Sequence, residues 1–344
     1  MLKIIAILLL LSSLYAEEEY QLGEGMQVAS LPLFVGGYFS SDYRNMNNEN
    51  RYTFDDLAVM GYGNYEKFSY MAEFEYKSFY VETHTSDTSN ITRDTKIHTE
   101  RIYLDYKLDE NYMFRMGKYN NPIGFWNLLP VNVLRDTTSS PMSTNILFPK
   151  FTTGAAASYS SYNGAETKID LMLQNNNDLD ANYNNYTVDR HYGFNLSYEK
   201  DDYTIKLNGG YFRNIMSYSP AEPNEPDEIH EPLIHPEDLY YFLLSGKYDT
   251  QKYQFLSEIG TQRKKDEHTT NYAGYIQGLY RFTEQHVGIV RLESYDDKLH
   301  NKNDDMAIVG YTYRPIYPVA IKSEYQFHSL SVENQFLFSL SMMF

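Results

Sequence analysis

The 344-residue chain has no cysteine, which excludes a disulfide scaffold, and it is long enough to fold without such staples. Beyond residue 16 no apolar run approaches the roughly 20 residues that a membrane-spanning helix needs. Basic residues are outnumbered, with 29 Lys and Arg against 46 Asp and Glu and a formal net charge of −17, so no basic patch for nucleic acid is expected. Tryptophan occurs once. There is no phosphate-cradling glycine loop and no Gly-x-Ser-x-Gly nucleophile turn. His230 and His235 flank Glu231 in an acidic stretch, but Pro232 forbids the helix on which a His-Glu-x-x-His zinc site depends. Neither a catalytic group, a metal site nor a cofactor is expected.

What the chain has in quantity is aromatic: 35 Tyr and 19 Phe. Mean hydropathy is negative, yet the apolar residues are not scattered. Residues 67–77 place Phe68, Tyr70, Ala72, Phe74 and Tyr76 on one face and Glu73, Glu75 and Lys77 on the other. That two-residue period is a strand between an apolar and an aqueous environment, and a slip of one residue would carry its charges into the apolar side. Comparable rows recur at Ile102, Leu104 and Tyr106; at Ile169, Leu171 and Leu173; at Tyr192, Phe194, Leu196 and Tyr198; at Tyr203, Ile205, Leu207 and Tyr211; at Tyr240, Phe242 and Leu244; at Tyr253, Phe255 and Ile259; at Tyr272, Ile276, Tyr280 and Phe282; at Val319, Ile321, Tyr325 and Phe327; and in the last strand, 334–344. Weaker segments near 33–41, 54–62, 112–119, 153–160, 287–294 and 306–313 bring the expected count to about sixteen. Connections alternate in length. Short turns are expected near 63–64, 109–111, 163–164, 201–202, 249–251, 283–285 and 315–317. Longer polar loops are expected near 42–52, 83–95, 120–151, 175–190, 214–237, 262–270, 295–304 and 328–333.

Both ends fit an exported chain. Lys3, an apolar core over residues 4–11, and Ala16 ahead of Glu17 read as a secretory signal over residues 1–16, leaving 17–344 as one folded domain. Residues 334–344 alternate Phe336, Phe338, Leu340, Met342 and Phe344 against a second row. This terminal strand resembles that of bacterial outer-membrane β-barrels. Lipid outside demands closure, because an open sheet edge would leave unpaired backbone groups in hydrocarbon. The expected fold is therefore all-β, a transmembrane antiparallel up-and-down barrel of about 16 strands, wide enough for an aqueous interior.

The segment 120–151 stands apart, rich in Pro122, Pro130, Pro141 and Pro149 and in apolar residues. Arg115-Met116-Gly117-Lys118 followed by Asn121-Pro122-Ile123-Gly124 resembles the strand-to-loop passage of the Gram-negative outer-membrane porin superfamily that includes phosphate-selective porins. The resemblance implies trimeric sixteen-stranded channels whose third long loop folds inward. No Lys or Arg ladder is present, so phosphate selectivity is not implied. Candidates for the constriction loop are Trp126, Arg135 and Asp136. Candidates for the pore wall are the inward Arg101, Arg115, Lys206, Lys247, Arg281, Arg291 and Lys322 with Glu73, Glu75, Asp105, Asp170, Glu258, Glu293 and Glu324. Arg115 is expected to face Tyr103 or Asp105 across its hairpin. Mixed signs imply weak selectivity, leaning toward cations because the chain is acidic. Expected partners are outer-membrane lipid and lipopolysaccharide, small hydrophilic solutes or ions, and two further copies in a homotrimer. A different reading is a non-conducting barrel that acts through its surface loops in adhesion.

Overall fold

The computed structural model describes residues 22–215, 236–267, 270–298 and 301–344. The signal segment, the acidic stretch containing His230 and His235, His268 and His300 lie outside them. Among the described residues eighteen strands form in chain order. They are β1 (Met26–Gln27), β2 (Phe34–Met46), β3 (Glu49–Tyr65), β4 (Phe68–His84), β5 (Ser89–Thr92) and β6 (His98–Lys107). Then follow β7 (Tyr112–Asn120), β8 (Phe151–Tyr162), β9 (Glu166–Gln174), β10 (Val188–Lys200), β11 (Tyr203–Asn214) and β12 (Glu237–Asp249). The rest are β13 (Tyr253–Lys264), β14 (Thr270–Arg281), β15 (His286–Asp297), β16 (Lys302–Tyr313), β17 (Val319–His328) and β18 (Gln335–Met343).

From β2 onward successive strands pair antiparallel, β4 pairing with β6 past the short β5, and β18 returns to β2 with Phe338 opposite Tyr43 and Met342 opposite Phe39. Sixteen strands thus make a closed up-and-down barrel; β1 and β5 are short additions on β2 and β4. The seam is sealed by Phe344, whose carbonyl accepts from Gly37 N at 2.8 Å and whose N–H donates to Gly37 O at 2.9 Å. A side chain at Gly37 would meet the Phe344 ring at 2.8 Å and Ala58 O at 2.3 Å, so only glycine lets the terminal aromatic close in.

The outward rows are those expected. Tyr192, Phe194, Leu196 and Tyr198 are exposed, as are Ile169, Leu171 and Leu173, while inward neighbours such as Asp170 and Asn195 are buried. Aromatic pairs gather at the two rims. At the short-turn rim stand Tyr112 with Tyr159, Tyr203 with Tyr248, and Tyr253 with Tyr280, their ring centroids 4.7–5.2 Å apart. At the other rim stand Tyr43 with Tyr52 and Tyr192 with Tyr211. Two aromatic girdles around an apolar band are the surface a barrel presents to a bilayer. Among the described residues no helix is long and apolar enough to cross a membrane.

Both connections of β3 differ from expectation. The stretch near 42–52 is not a long loop: β2 and β3 continue to a two-residue turn at Asn47-Asn48, both with positive φ (43° and 66°). Asparagine tolerates that geometry, and it matches strand twist. The polar residues around it belong to a wall that rises beyond the apolar band. The turn expected at Gly63-Asn64 falls instead at Glu66 and Lys67.

Candidate functional site

The connection between β7 and β8, residues 121–150, folds into the barrel. It carries one-turn helices at Trp126–Leu128 and Asn132–Leu134 and a short helix at Met142–Ile146. The wall holds it by alternating charge. Carboxylates accept from its N–H groups: Glu258 from Phe125, Glu293 from Met142, and Glu324 from Thr138 (2.9 Å) and Ser139 (3.2 Å). Cations donate to its carbonyls: Lys206 to Gly124 (2.8 Å), Arg291 to Ser139 (3.1 Å), Lys322 to Asn132, and Arg314 to Val133 and Arg135. Gly124 has φ +64° and lies so close that a side chain there would come within 2.7 Å of Glu258 Oε1.

The loop is therefore held along β11–β17, and cavities lie beside and beneath it. One, about 300 Å³, is bounded by β2, β3, β4 and β6 on the wall and by residues 126–151 and 183–185 opposite. Asp42, Asp55, Asp56, Glu75 and Glu100 stand against Lys77, Arg135 and Lys150. A β-bulge turns both members of the Asp55-Asp56 pair toward it: Phe39 pairs with Leu57 and Ser41 with Phe54, leaving Ser40 opposite two residues. Such bulges re-aim side chains. Ser40 donates to Asp56 and Tyr38 to Glu100, both at 2.7 Å, Ser78 to Asp55 at 2.8 Å, and Tyr183 to Glu75.

Arg135 is fixed by its own loop, donating to Leu129 O and Pro130 O, each at 2.6 Å. Among the described residues, none of Lys77, Arg135 and Lys150 has a carboxylate oxygen within 4 Å. Burial lowers the Arg135 guanidinium from its ordinary value, against the pull of Asp56 and Glu100. Burial pushes the Lys150 ammonium down to about 7, assisted by the charges of Lys77 and Arg135.

A second pair of cavities, about 150 and 350 Å³, lies toward the short-turn side, lined by β7–β13 and the underside of the loop. The first cavity adjoins the second at Asn120, and the second adjoins the third at Leu128, Lys168, Ser197 and Lys206.

The expected residues divide among these places. Glu73 pairs with Arg101 across β4 and β6. Arg115 faces Asp105, bridged twice at 2.6 and 2.7 Å, and lies 4.0 Å from the Tyr103 ring centroid. Asp170 accepts from Ser158 and Asn195. Glu258, Arg291, Glu293, Lys322 and Glu324 are buried beneath the inward loop. Lys206 and Lys247 line the lower cavity. Arg281 sits at a short turn, bound to Asp249 and Thr250 O. Within the loop, Trp126 and Arg135 border the first cavity, and Asp136 is held by Arg314 at 3.3 Å. Asp42, Asp55, Asp56, Lys77, Glu100 and Lys150 were not foreseen as site residues. Two adjacent acids interrupting an alternating strand were the available signal for the bulge. Asp304, His328 and Glu333 bring possible ligand atoms within 4.8 Å of one another at the loop-side rim, but Asp304 is already engaged by His328 and Ser329.

Comparison with protein-family models and with curated proteins gives no match. Solved structures do match. OmpF of Salmonella typhi, determined with daunomycin, superposes with a TM-score of 0.61 at 11% identity, covering 91% of this chain and 97% of the other. An anion-selective porin from Comamonas acidovorans gives 0.59 at 10% identity over 91% and 99%. OmpT of Vibrio cholerae in its trimer form gives 0.58 at 10% identity over 91% and 99%. At these identities the likeness is one of fold: the chain has the closed sixteen-stranded architecture of the Gram-negative outer-membrane porins.

Proposed function

We propose that the protein is an outer-membrane porin, a water-filled channel for passive diffusion of small hydrophilic solutes and ions. The observation that carries this reading is the row of adjoining cavities beside the inward loop, from the loop side past Asn120 to the short-turn side. Selection takes place where the loop approaches β2–β6, by size and by charge. Five carboxylates against three cations there favour cations modestly, since rings of one sign set ion preference and this ring is mixed. The reading assigns no catalytic step and no cofactor. It includes export through a signal over residues 1–16, contact with lipid and lipopolysaccharide, and a homotrimer.

The test is reversal potential across a potassium chloride gradient together with swelling of loaded liposomes. The expected result is a small cation-selective potential and entry of monosaccharides but not of large oligosaccharides. A strongly anion-selective potential, or liposomes that admit no solute, would contradict it.

A further inference from the structure

The short-turn side of the inward loop carries an arrangement that ion sieving does not call for. Leu128 and Leu129 are exposed there, 44% and 39%, on a loop surrounded by barrel lumen. Facing them is a cluster of ammonium groups fixed by strand register. Lys168 on β9 is opposite Ser197 on β10, which is opposite Lys206 on β11; Lys247 on β12 is opposite Thr204, two residues along. Neighbouring strands lie about 4.8 Å apart, so three ammonium groups fall within four strands on one inner face. Lys206 and Lys247 hold their Nζ atoms 4.7 and 5.5 Å from the Phe125 ring centroid.

Among the described residues Lys247 has no carboxylate within 4 Å. Lys168 meets Asp170 only at 3.4 Å, with its own side chain 40% exposed. Glu166 and Glu199 also border this cavity, but they face one another at the turn ends of β9 and β10. They lie nearer the turns than the lysines, and the cavity lining keeps a net positive charge, three ammonium groups against two carboxylates. A simple anion gains nothing from the leucines, and a neutral apolar solute gains nothing from the lysines.

We propose that this cavity binds amphipathic organic anions: a carboxylate among Lys168, Lys206 and Lys247, and a compact hydrocarbon or aromatic body on Leu128, Leu129 and Phe125. The inference rests on the lumen being water-filled and names a solute class for it. The site is separate from the acid-rich cavity on the other side of the loop.

The single tryptophan, Trp126, shares the one-turn helix Trp126–Leu128 and supplies the probe. Folded full-length mature protein in detergent is titrated with phenylacetate, acetate or benzyl alcohol, and Trp126 fluorescence is followed. Saturation by phenylacetate alone is expected. Lys247→Gln should weaken it about fivefold, the weight of one ammonium about 4 Å from a carboxylate in water. Leu128→Ser with Leu129→Ser should weaken it roughly tenfold through lost apolar contact. Saturation by acetate or benzyl alcohol at equal affinity, no saturation by phenylacetate, or saturation unchanged in both variants would overturn the proposal. Should the double variant not fold, Lys247→Gln decides alone, since Lys247 makes no hydrogen bond to the loop. Conductance in potassium chloride is measured on the same preparation. Conduction without phenylacetate binding sinks only the site, whereas binding without conduction sinks only the channel.

Discussion

With Lys77, Arg135 and Lys150 supply the basic side of the acid-rich cavity, and each is a single charge whose removal has a calculable sign. Neutralising one charge about 7 Å from a passing ion in water-like surroundings changes its energy by about 0.6 kcal/mol, or roughly threefold in that ion's permeability. The cation gains and the anion loses by that amount, so Arg135→Gln is expected to raise the cation-to-anion ratio about sevenfold, read from the reversal potential. Lys150 titrates where physiological pH lies, because burial holds its ammonium down to about 7. Below that pH the lumen carries its charge, and above it the charge is gone. Cation preference should consequently rise between pH 6 and 8, and Lys150→Met should flatten that rise. The linked stability has the same direction. The folded chain binds this proton less readily than the unfolded chain, so the destabilisation is full below about pH 7 and is relieved as pH climbs toward the ordinary lysine range near ~10.4.

The inward loop, as an element, is held by groups that a sequence pattern could place on the inner face but could not assign to a task. Alternation identifies Glu258, Arg291, Glu293, Lys322 and Glu324 as inward. Whether an inward charge meets water or another part of the chain depends on where 30 distant residues fold, and that is a tertiary fact. The strands were legible because lipid outside and water inside impose a two-residue period on each of them. The bulge at Asp55-Asp56 breaks that period, and the extension of β2 and β3 to Asn47-Asn48 lies in water, where the apolar signal lapses. Glu324 shows the weight of the clasp: its carboxylate accepts from two loop N–H groups. Truncation leaves those donors without that acceptor, at a cost of about 1–3 kcal/mol for each donor left buried. Glu324→Ala is expected to keep the barrel but to loosen the loop, seen as raised open-channel current noise. A trace as quiet as that of the parent would show that the loop is held elsewhere.

For the whole molecule, closure between β2 and β18 decides everything else, because the lumen exists only if the sheet has no edge. Gly37→Val would force a side chain into the Phe344 ring and Ala58 O. It is expected to abolish the compact species that resists detergent on an unheated gel, whereas a lipid-facing change such as Val290→Leu on β15 should leave that species intact. The same gel reads assembly, since three associated barrels would migrate more slowly than one until boiled. A water-filled passage beside the inward loop can be read by adding purified, folded protein to a planar lipid bilayer in potassium chloride. Discrete upward steps of current, each of uniform size, are expected; folded barrels that insert and never conduct would show that no such passage exists.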